Sequence, residues 1–272
     1  MSRVSSADLL RVSPRADRTA PVARANPVAK VAVATVISVA LILTVDVVTA
    51  GVALVLELVC LPLCGLPLRS VLRRSWLLAL AALPAGVVTV LVGRDSGALL
   101  VGLGPVSVTD GSALLGAAIS LRILAIGLPG VVLLATTDPT DLADALAQVL
   151  RLPHRFVLAA LAALRLFGVL HAEWQLLSLA RRARGLGDDG VLGTARTAAR
   201  QVFALLVVAI RRATTLATAM EARGFGVATR RTWARPSRLS PSDAVVVLGG
   251  VGVAAAATAA GVLAGTWRLL LT

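Results

Sequence analysis

Residues 48–66 read Val-Thr-Ala-Gly-Val-Ala-Leu-Val-Leu-Glu-Leu-Val-Cys-Leu-Pro-Leu-Cys-Gly-Leu, an apolar run in which Glu57 is the one charged residue. A helix needs about 20 mostly apolar residues to cross the hydrocarbon core of a bilayer. Four further segments are similar in length and composition. The five predicted spans are 28–45, 48–66, 76–93, 112–135 and 244–267. The sequence therefore predicts an all-α integral membrane protein.

The overall composition supports a membrane protein and argues against a nucleic-acid-binding one. Hydrophobic residues make up 57% of the chain, charged residues only 15%, and the mean hydropathy is +0.88. Soluble domains average about 45–50% apolar and about 25% charged residues. A net charge of +13 suits nucleic-acid binding, but aromatic residues are only 3% of the chain and tyrosine is absent. Because so few aromatic residues are present for base stacking, we predict lipid as a partner and no nucleic acid.

The positions of the arginines predict the orientation. Short cytoplasmic loops carry an excess of Lys and Arg. Basic residues concentrate before the first span, between the second and third, and in 136–243, whereas the segments 46–50 and 94–111 hold only Arg94. We predict a plasma-membrane protein with a cytoplasmic N-terminus and a C-terminus outside.

Four regions follow from this topology. Residues 1–27 are polar and Arg-rich and are predicted to form a disordered cytoplasmic tail, with a signal peptide as the alternative. Residues 28–135 form a four-helix transmembrane region, and residues 244–272 contain the last span. Residues 136–243 are judged too polar to span and too long for a simple loop. They are predicted to form a cytoplasmic module with a short helix after Asp138 and two long amphipathic helices.

Two charges lie at mid-membrane depth and could form an ion pair. Glu57 in the second span and Arg122 in the fourth are each about ten residues from the outer ends of their helices. Intramembrane charges are functional candidates by default. The favoured alternative is a structural ion pair that fixes helix packing. Cys60 and Cys64 are predicted to be inert, and the sequence indicates no metal site and no cofactor.

The two long helices end alike. One finishes Ala183-Arg184-Gly185-Leu186-Gly187 and the other Ala222-Arg223-Gly224-Phe225-Gly226, with the arginines 39 positions apart. A helix C-cap explains Arg-Gly at either place. Capping does not explain a five-residue repeat with one apolar substitution. Since a guanidinium binds a carboxylate through two hydrogen bonds, we expect the glycines to cap and the arginines to bind a partner.

With Met220-Glu221 before the second motif, the chain resembles the T components of energy-coupling-factor (ECF) transporters, the EcfT or CbiQ family. The hallmark of that family is two cytoplasmic Ala-Arg-Gly or Ala-Arg-Ser motifs. Further similar stretches lie in the region from about residue 25 to 240. They are Asn26-Pro27-Val28-Ala29-Lys30, Thr136-Thr137-Asp138-Pro139 followed by Asp141-Leu142, and Leu152-Pro153 leading to Leu164-Arg165.

The resemblance implies a transmembrane coupling subunit of an ECF-type ABC importer, without enzymatic activity or a cofactor. Two cytoplasmic ABC ATPase subunits would each receive one motif. A membrane-embedded S component would bind the apolar faces of the long helices and take up a vitamin or a transition-metal ion. The substrate depends on the S component and cannot be read from this chain. The implied ATPase-coupling residues are Ala183, Arg184, Gly185, Glu221, Ala222, Arg223 and Gly224.

Two alternatives remain. A secondary transporter or channel working without ATPase partners gains some support from Glu57, Arg122 and the prolines within the spans. A membrane-embedded enzyme would need clustered His, Cys or carboxylate groups at one depth, which the sequence does not offer. The chain also has no phosphate-binding G-x-x-x-x-G-K-[ST] loop, so we do not expect it to hydrolyse ATP.

Overall fold

The computed structural model describes residues 20–92, 99–103, 106–184, 190–226 and 233–267. These residues are almost entirely helical, so the predicted fold class is confirmed. The helices are α1 (Pro21–Arg24), α2 (Pro27–Leu43), α3 (Val47–Cys60), α4 (Leu68–Val92), α5 (Asp110–Thr136), α6 (Pro139–Gln148), α7 (His154–Ala183), α8 (Gly190–Ala222) and α9 (Pro241–Leu263). A 3-10 turn, Leu61–Cys64, extends α3.

One element was not expected. Strands β1 (Leu99–Leu103) and β2 (Val106–Thr109) form an antiparallel ribbon within the segment predicted to be a loop, with Leu103 opposite Val106. The predicted disordered tail also extends too far, because α1 and a buried Asn26 lie within it. Residues 1–19 of that tail lie outside the described residues.

The helices form two compact units. The bundle unit contains residues 15–145 and 237–272, and the hairpin unit contains residues 146–236. The hairpin unit is shorter at both ends than the predicted module 136–243, and α6 crosses the boundary between the units.

In the bundle unit, α2, α3, α5 and α9 pack around a core of small and branched apolar side chains. The core residues are Ile37, Leu41, Ala53, Ala125, Ala254 and Ala257. Helix α4 packs against α5 through two glycines. A Cβ on Gly86 would lie 2.9 Å from the carbonyl oxygen of Gly116, and one on Gly116 would lie 2.7 Å from the carbonyl oxygen of Gly86. Small residues allow such close backbone approach between membrane helices.

Side-chain caps fix where the helices of this unit begin. Asn26 accepts a hydrogen bond from the Val28 amide, and Asp46 accepts one from the Thr49 amide. The side chains of Thr109 and Ser112 bond reciprocally to each other's backbone amides at the start of α5.

A polar clasp joins the two chain segments that enter the bundle unit. The Asp243 carboxylate accepts the Asn26 amide at 2.7 Å and the Ser240 amide at 2.6 Å. The side-chain amide of Asn26 donates in turn to the hydroxyl of Ser237 and to the carbonyl of Arg238. Asp243 thus ties the start of α9 to the start of α2.

Among the described residues, six helical segments are long and apolar enough to cross a bilayer, so the chain is a multi-pass membrane protein. They are Val47–Cys64, α4, α5, α9, and parts of α7 (His154–Arg181) and α8 (Arg196–Ala222), while α2 is a shorter apolar helix. Helices α2, α3, α4, α5 and α9 correspond to the five predicted spans. By length and composition, the judgement that 136–243 is too polar to span is wrong for α7 and α8, because each contains a long helical stretch that is apolar on average and interrupted by few charges. Their cytoplasmic placement remains a prediction.

Candidate functional site

Helices α7 and α8 form an antiparallel hairpin. Polar contacts join them at successive levels along their length. The pairs are Arg181 with the Thr197 carbonyl (3.2 Å), Gln201 with the Ser178 hydroxyl (3.4 Å), Arg212 with the Glu173 carboxylate (2.7 Å), and Arg155 with the Gly226 carbonyl. As positions increase along α8, their partners decrease along α7, which is the pattern of an antiparallel pair.

This arrangement places the two Ala-Arg-Gly motifs at opposite ends of the hairpin. Arg184 follows the last residue of α7, near the start of α8. Arg223 follows the last residue of α8, near the start of α7. At a rise of 1.5 Å per residue, the 33 residues of α8 extend over about 50 Å. The structure therefore separates the two arginines by roughly the length of the hairpin.

The second motif is a well-formed helix cap. The Phe225 amide donates to the Met220 carbonyl and the Gly224 amide to the Glu221 carbonyl, both at 2.9 Å. Gly224 has a φ of 74°, in the left-handed region that favours glycine. These two bonds define a Schellman motif, and the apolar side chains of Met220 and Phe225 accompany it. The predicted capping role of Gly224 is confirmed.

At the first motif the structure describes Ala183 and Arg184, whereas Gly185 lies outside the described residues. The Arg184 amide donates to the Arg181 carbonyl at 3.1 Å, which closes the last turn of α7. Both Ala183 and Arg184 are exposed.

The arginines of the two motifs are available to a partner. Arg184, Arg223, Glu221 and Ala222 are all exposed. Within the described parts of the chain, the side chain of neither arginine forms a salt bridge or a hydrogen bond. Each helix end therefore presents a charged group with five N–H donors, none of which bonds to an acceptor in the described residues.

A groove of about 670 Å³ lies between α7 and α8 beside the second motif. Its floor is apolar, and three arginines line it: Arg165, Arg212 and Arg223. This groove was not predicted from the sequence. Arg212 precedes Arg223 by eleven residues, about three helical turns, so both lie on one face of α8. The spacing of these two arginines is the sequence feature from which a basic surface on α8 could have been predicted.

The predicted pair of Glu57 and Arg122 does not form. Both carboxylate oxygens of Glu57 are buried and accept no hydrogen bond from a described residue. The reason lies in the relative heights of the helices: a Cβ on Gly51 would lie 3.9 Å from Leu121, so Arg122 is level with the first turns of α3. Glu57 is six residues, about 9 Å, further along α3.

Comparison with known proteins gives the family. The family model for CbiQ, cobalt transport protein, matches residues 18–233, which include both Ala-Arg-Gly motifs. The chain belongs to the CbiQ family. This confirms the family indicated by the motifs, in which the chain groups with EcfT proteins.

Three relatives show how far the similarity of this CbiQ-family chain extends. All are energy-coupling factor transporter transmembrane proteins EcfT. The protein from Macrococcus caseolyticus is 34% identical over 140 residues, covering 47% of this chain and 52% of the relative. The protein from Exiguobacterium sibiricum is 29% identical over 194 residues, covering 67% and 73%, respectively. The protein from Heliobacterium modesticaldum is 32% identical over 166 residues, covering 58% and 62%. The matched region thus spans from about half to about three-quarters of these relatives.

Proposed function

We propose that this CbiQ-family chain is the transmembrane coupling subunit of an ECF-type ABC importer. It would transmit the movement of two cytoplasmic ATPase subunits to a membrane-embedded S component that takes up a vitamin or a transition-metal ion. The chain itself would be non-catalytic and would need no cofactor. The observation that carries the proposal is the antiparallel hairpin, which has at each end an exposed arginine whose side chain bonds to none of the described residues.

The separation of the arginines suits two ATPase subunits. Two contacts about 50 Å apart can be occupied by two globular partners at once, whereas contacts on one tip would compete. Arg184 would meet acidic residues of one subunit and Arg223 those of the other, with Ala183, Ala222 and Gly224 allowing close approach. Gly185 and Glu221 complete the proposed contact set.

The proposal also determines how the hairpin must lie. If α7 and α8 crossed the bilayer, their opposite ends would face opposite sides, and cytoplasmic ATPases could reach only one arginine. Both motifs are accessible from the cytoplasm only when the hairpin lies along the inner membrane surface. Apolar side chains such as Phe156, Phe167 and Phe203 are exposed on the hairpin unit. They would contact the S component or lipid. The N-terminus would then be cytoplasmic and the C-terminus outside the plasma membrane.

A secondary transporter is the second candidate. The buried carboxylate of Glu57, which accepts no hydrogen bond from a described residue, favours it, because carboxylates within spans often mark ion or proton pathways. That function predicts transport without ATP and no associated ATPase.

Copurification distinguishes the two. A tagged chain is expressed with the ATPases of its own organism and isolated in mild detergent. We expect both ATPases to copurify, and Arg184→Ala with Arg223→Ala to remove them. Arg200→Ala, at an exposed arginine within α8, is the matched control and should retain both. Unchanged copurification by the double variant would refute the proposed coupling contacts.

A further inference from the structure

Glu57 is a buried carboxylate that has no hydrogen-bond partner among the described residues. Its side chain is on α3 within the bundle unit, the residue is only 8% exposed, and neither carboxylate oxygen accepts a hydrogen bond from a described residue. An isolated charge in apolar surroundings is costly unless it is paired or hydrogen-bonded. The described part of the chain does not supply the donor that this carboxylate needs.

Glu57 lines a partly open cavity of about 410 Å³ between α1, α2, α3 with its 3-10 turn, α5 and α9. Most of the lining is aliphatic, contributed by residues such as Val33, Ile37, Leu128 and Val253. If each atom takes the roughly 30 Å³ that a water molecule occupies in the liquid, the cavity has room for about a dozen non-hydrogen atoms. This volume lies within the range of small-molecule sites.

The other polar groups of the cavity do not satisfy Glu57. The ammonium group of Lys30 already donates to the Ala23 carbonyl at 3.0 Å and to the carbonyl and hydroxyl oxygens of Thr136 at 3.2 and 3.3 Å. The thiol of Cys64 donates to the Cys60 carbonyl at 3.7 Å. The carboxylate is therefore the group whose hydrogen-bonding capacity remains open.

Two kinds of occupant fit poorly. Among the described residues, no three His, Cys, Asp or Glu side chains are placed to hold a metal ion. Hard cations require six or more oxygen ligands, which this apolar cavity lacks. A purely apolar molecule would fill the volume but leave the carboxylate unsatisfied.

We propose that this cavity binds a small apolar molecule that carries a protonated amine, with the ammonium group donating to the Glu57 carboxylate. The aliphatic lining would bury the body of the molecule, and the charge-assisted hydrogen bond would orient it. This site is separate from the arginine motifs and does not depend on the proposed coupling function.

The chain contains its own reporter for the test. Cys60 and Cys64 are its only cysteines, and both line the cavity. A bound molecule should therefore slow their alkylation by N-ethylmaleimide. The full chain in phosphatidylcholine nanodiscs is treated with n-octylamine, whose amine is protonated at neutral pH as in lysine, or with n-octanol. Concentrations are expressed as the amount partitioned into the bilayer, and the alkylation rate is followed by mass spectrometry.

We expect n-octylamine to protect the cysteines at a concentration about tenfold or more below that of n-octanol, because only the amine forms a charge-assisted bond. Glu57→Gln should abolish this preference. Glu173→Gln, which removes a half-buried carboxylate of α7 that is paired with Arg212 and does not line the cavity, should retain it. Equal protection by amine and alcohol on the unmodified chain, an absence of protection by both, or a preference that persists in Glu57→Gln would each overturn the proposal. The first two of these outcomes are observed on the unmodified chain, so they do not depend on whether Glu57→Gln folds.

Discussion

Both ends of the α7–α8 hairpin should be accessible from the cytoplasm although they lie far apart. The perturbation is the introduction of two cysteines, Ala183→Cys and Ala222→Cys, which leaves Arg184 and Arg223 in place. Both alanines are exposed, so a small substitution there should not disturb packing. The two native cysteines are replaced by serine so that the new thiols alone report.

The expected distance between the two cysteines follows from helix geometry. The 33 residues of α8 extend over about 50 Å, which exceeds the hydrocarbon core of about 30 Å. A hairpin that crossed the bilayer would therefore expose one cysteine on each side. A hairpin on the inner surface would expose both on the cytoplasmic side, and spin labels on the two sites would lie about 50 Å apart.

The assay combines two measurements on the same double variant. A membrane-impermeant maleimide is applied to right-side-out and to inverted vesicles, and the spin-label distance is measured by pulsed electron paramagnetic resonance. We expect labelling of both sites in inverted vesicles only. A site that reacts in right-side-out vesicles would refute the placement of the hairpin and, with it, the coupling function. A short distance between the labels would refute the antiparallel geometry itself.

Three further predictions concern local structure. Gly224→Ala should destabilise the cap of α8 by about 1–2 kcal/mol, because a Cβ is unfavourable at the left-handed φ of this residue, whereas Gly224→Asn should be better tolerated. Faster amide hydrogen exchange at the end of α8 in the Ala variant, but not in the Asn variant, would show this difference. Gly86→Ala should lower the melting temperature, because the added Cβ would overlap with α5 at a cost of about 1–3 kcal/mol. Gly130→Ala, where a Cβ meets no neighbour within 4 Å, should leave the melting temperature unchanged, and equal melting temperatures of the two variants would contradict the close approach of α4 and α5. Asp243→Ala should lower the free energy of unfolding by about 1.5–3 kcal/mol, because it removes charge-assisted hydrogen bonds to two backbone amides. Asp110→Ala, at an exposed carboxylate, should lower it by less, and thermal unfolding of both variants in detergent checks the difference.

The features that depend on local sequence were predictable. Hydrophobic runs located the membrane helices, and Asp138 and Gly224 marked a helix start and a helix end because capping involves only near neighbours. The repeated Ala-Arg-Gly motif was visible for the same reason. These features need no knowledge of how distant segments pack.

The features that depend on packing between helices could not be predicted from the sequence. The pairing of Glu57 with Arg122 assumed that two helices start at the same height, but α5 begins further out than α3. The antiparallel contacts that place Arg184 and Arg223 at opposite ends cannot be inferred from two similar motifs alone. The cavity beside Glu57 likewise exists only because helices from different parts of the chain line it.

The contacts that run along the whole hairpin have a mechanical consequence. Because α7 and α8 are joined near both ends and in the middle, the pair should resist sliding and behave as one stiff rod. A force on either end would then turn the rod about a pivot rather than bend it. If each ATPase subunit binds one end, the two subunits cannot move independently. A displacement of one end of the hairpin by its ATPase would displace the other end in the opposite direction.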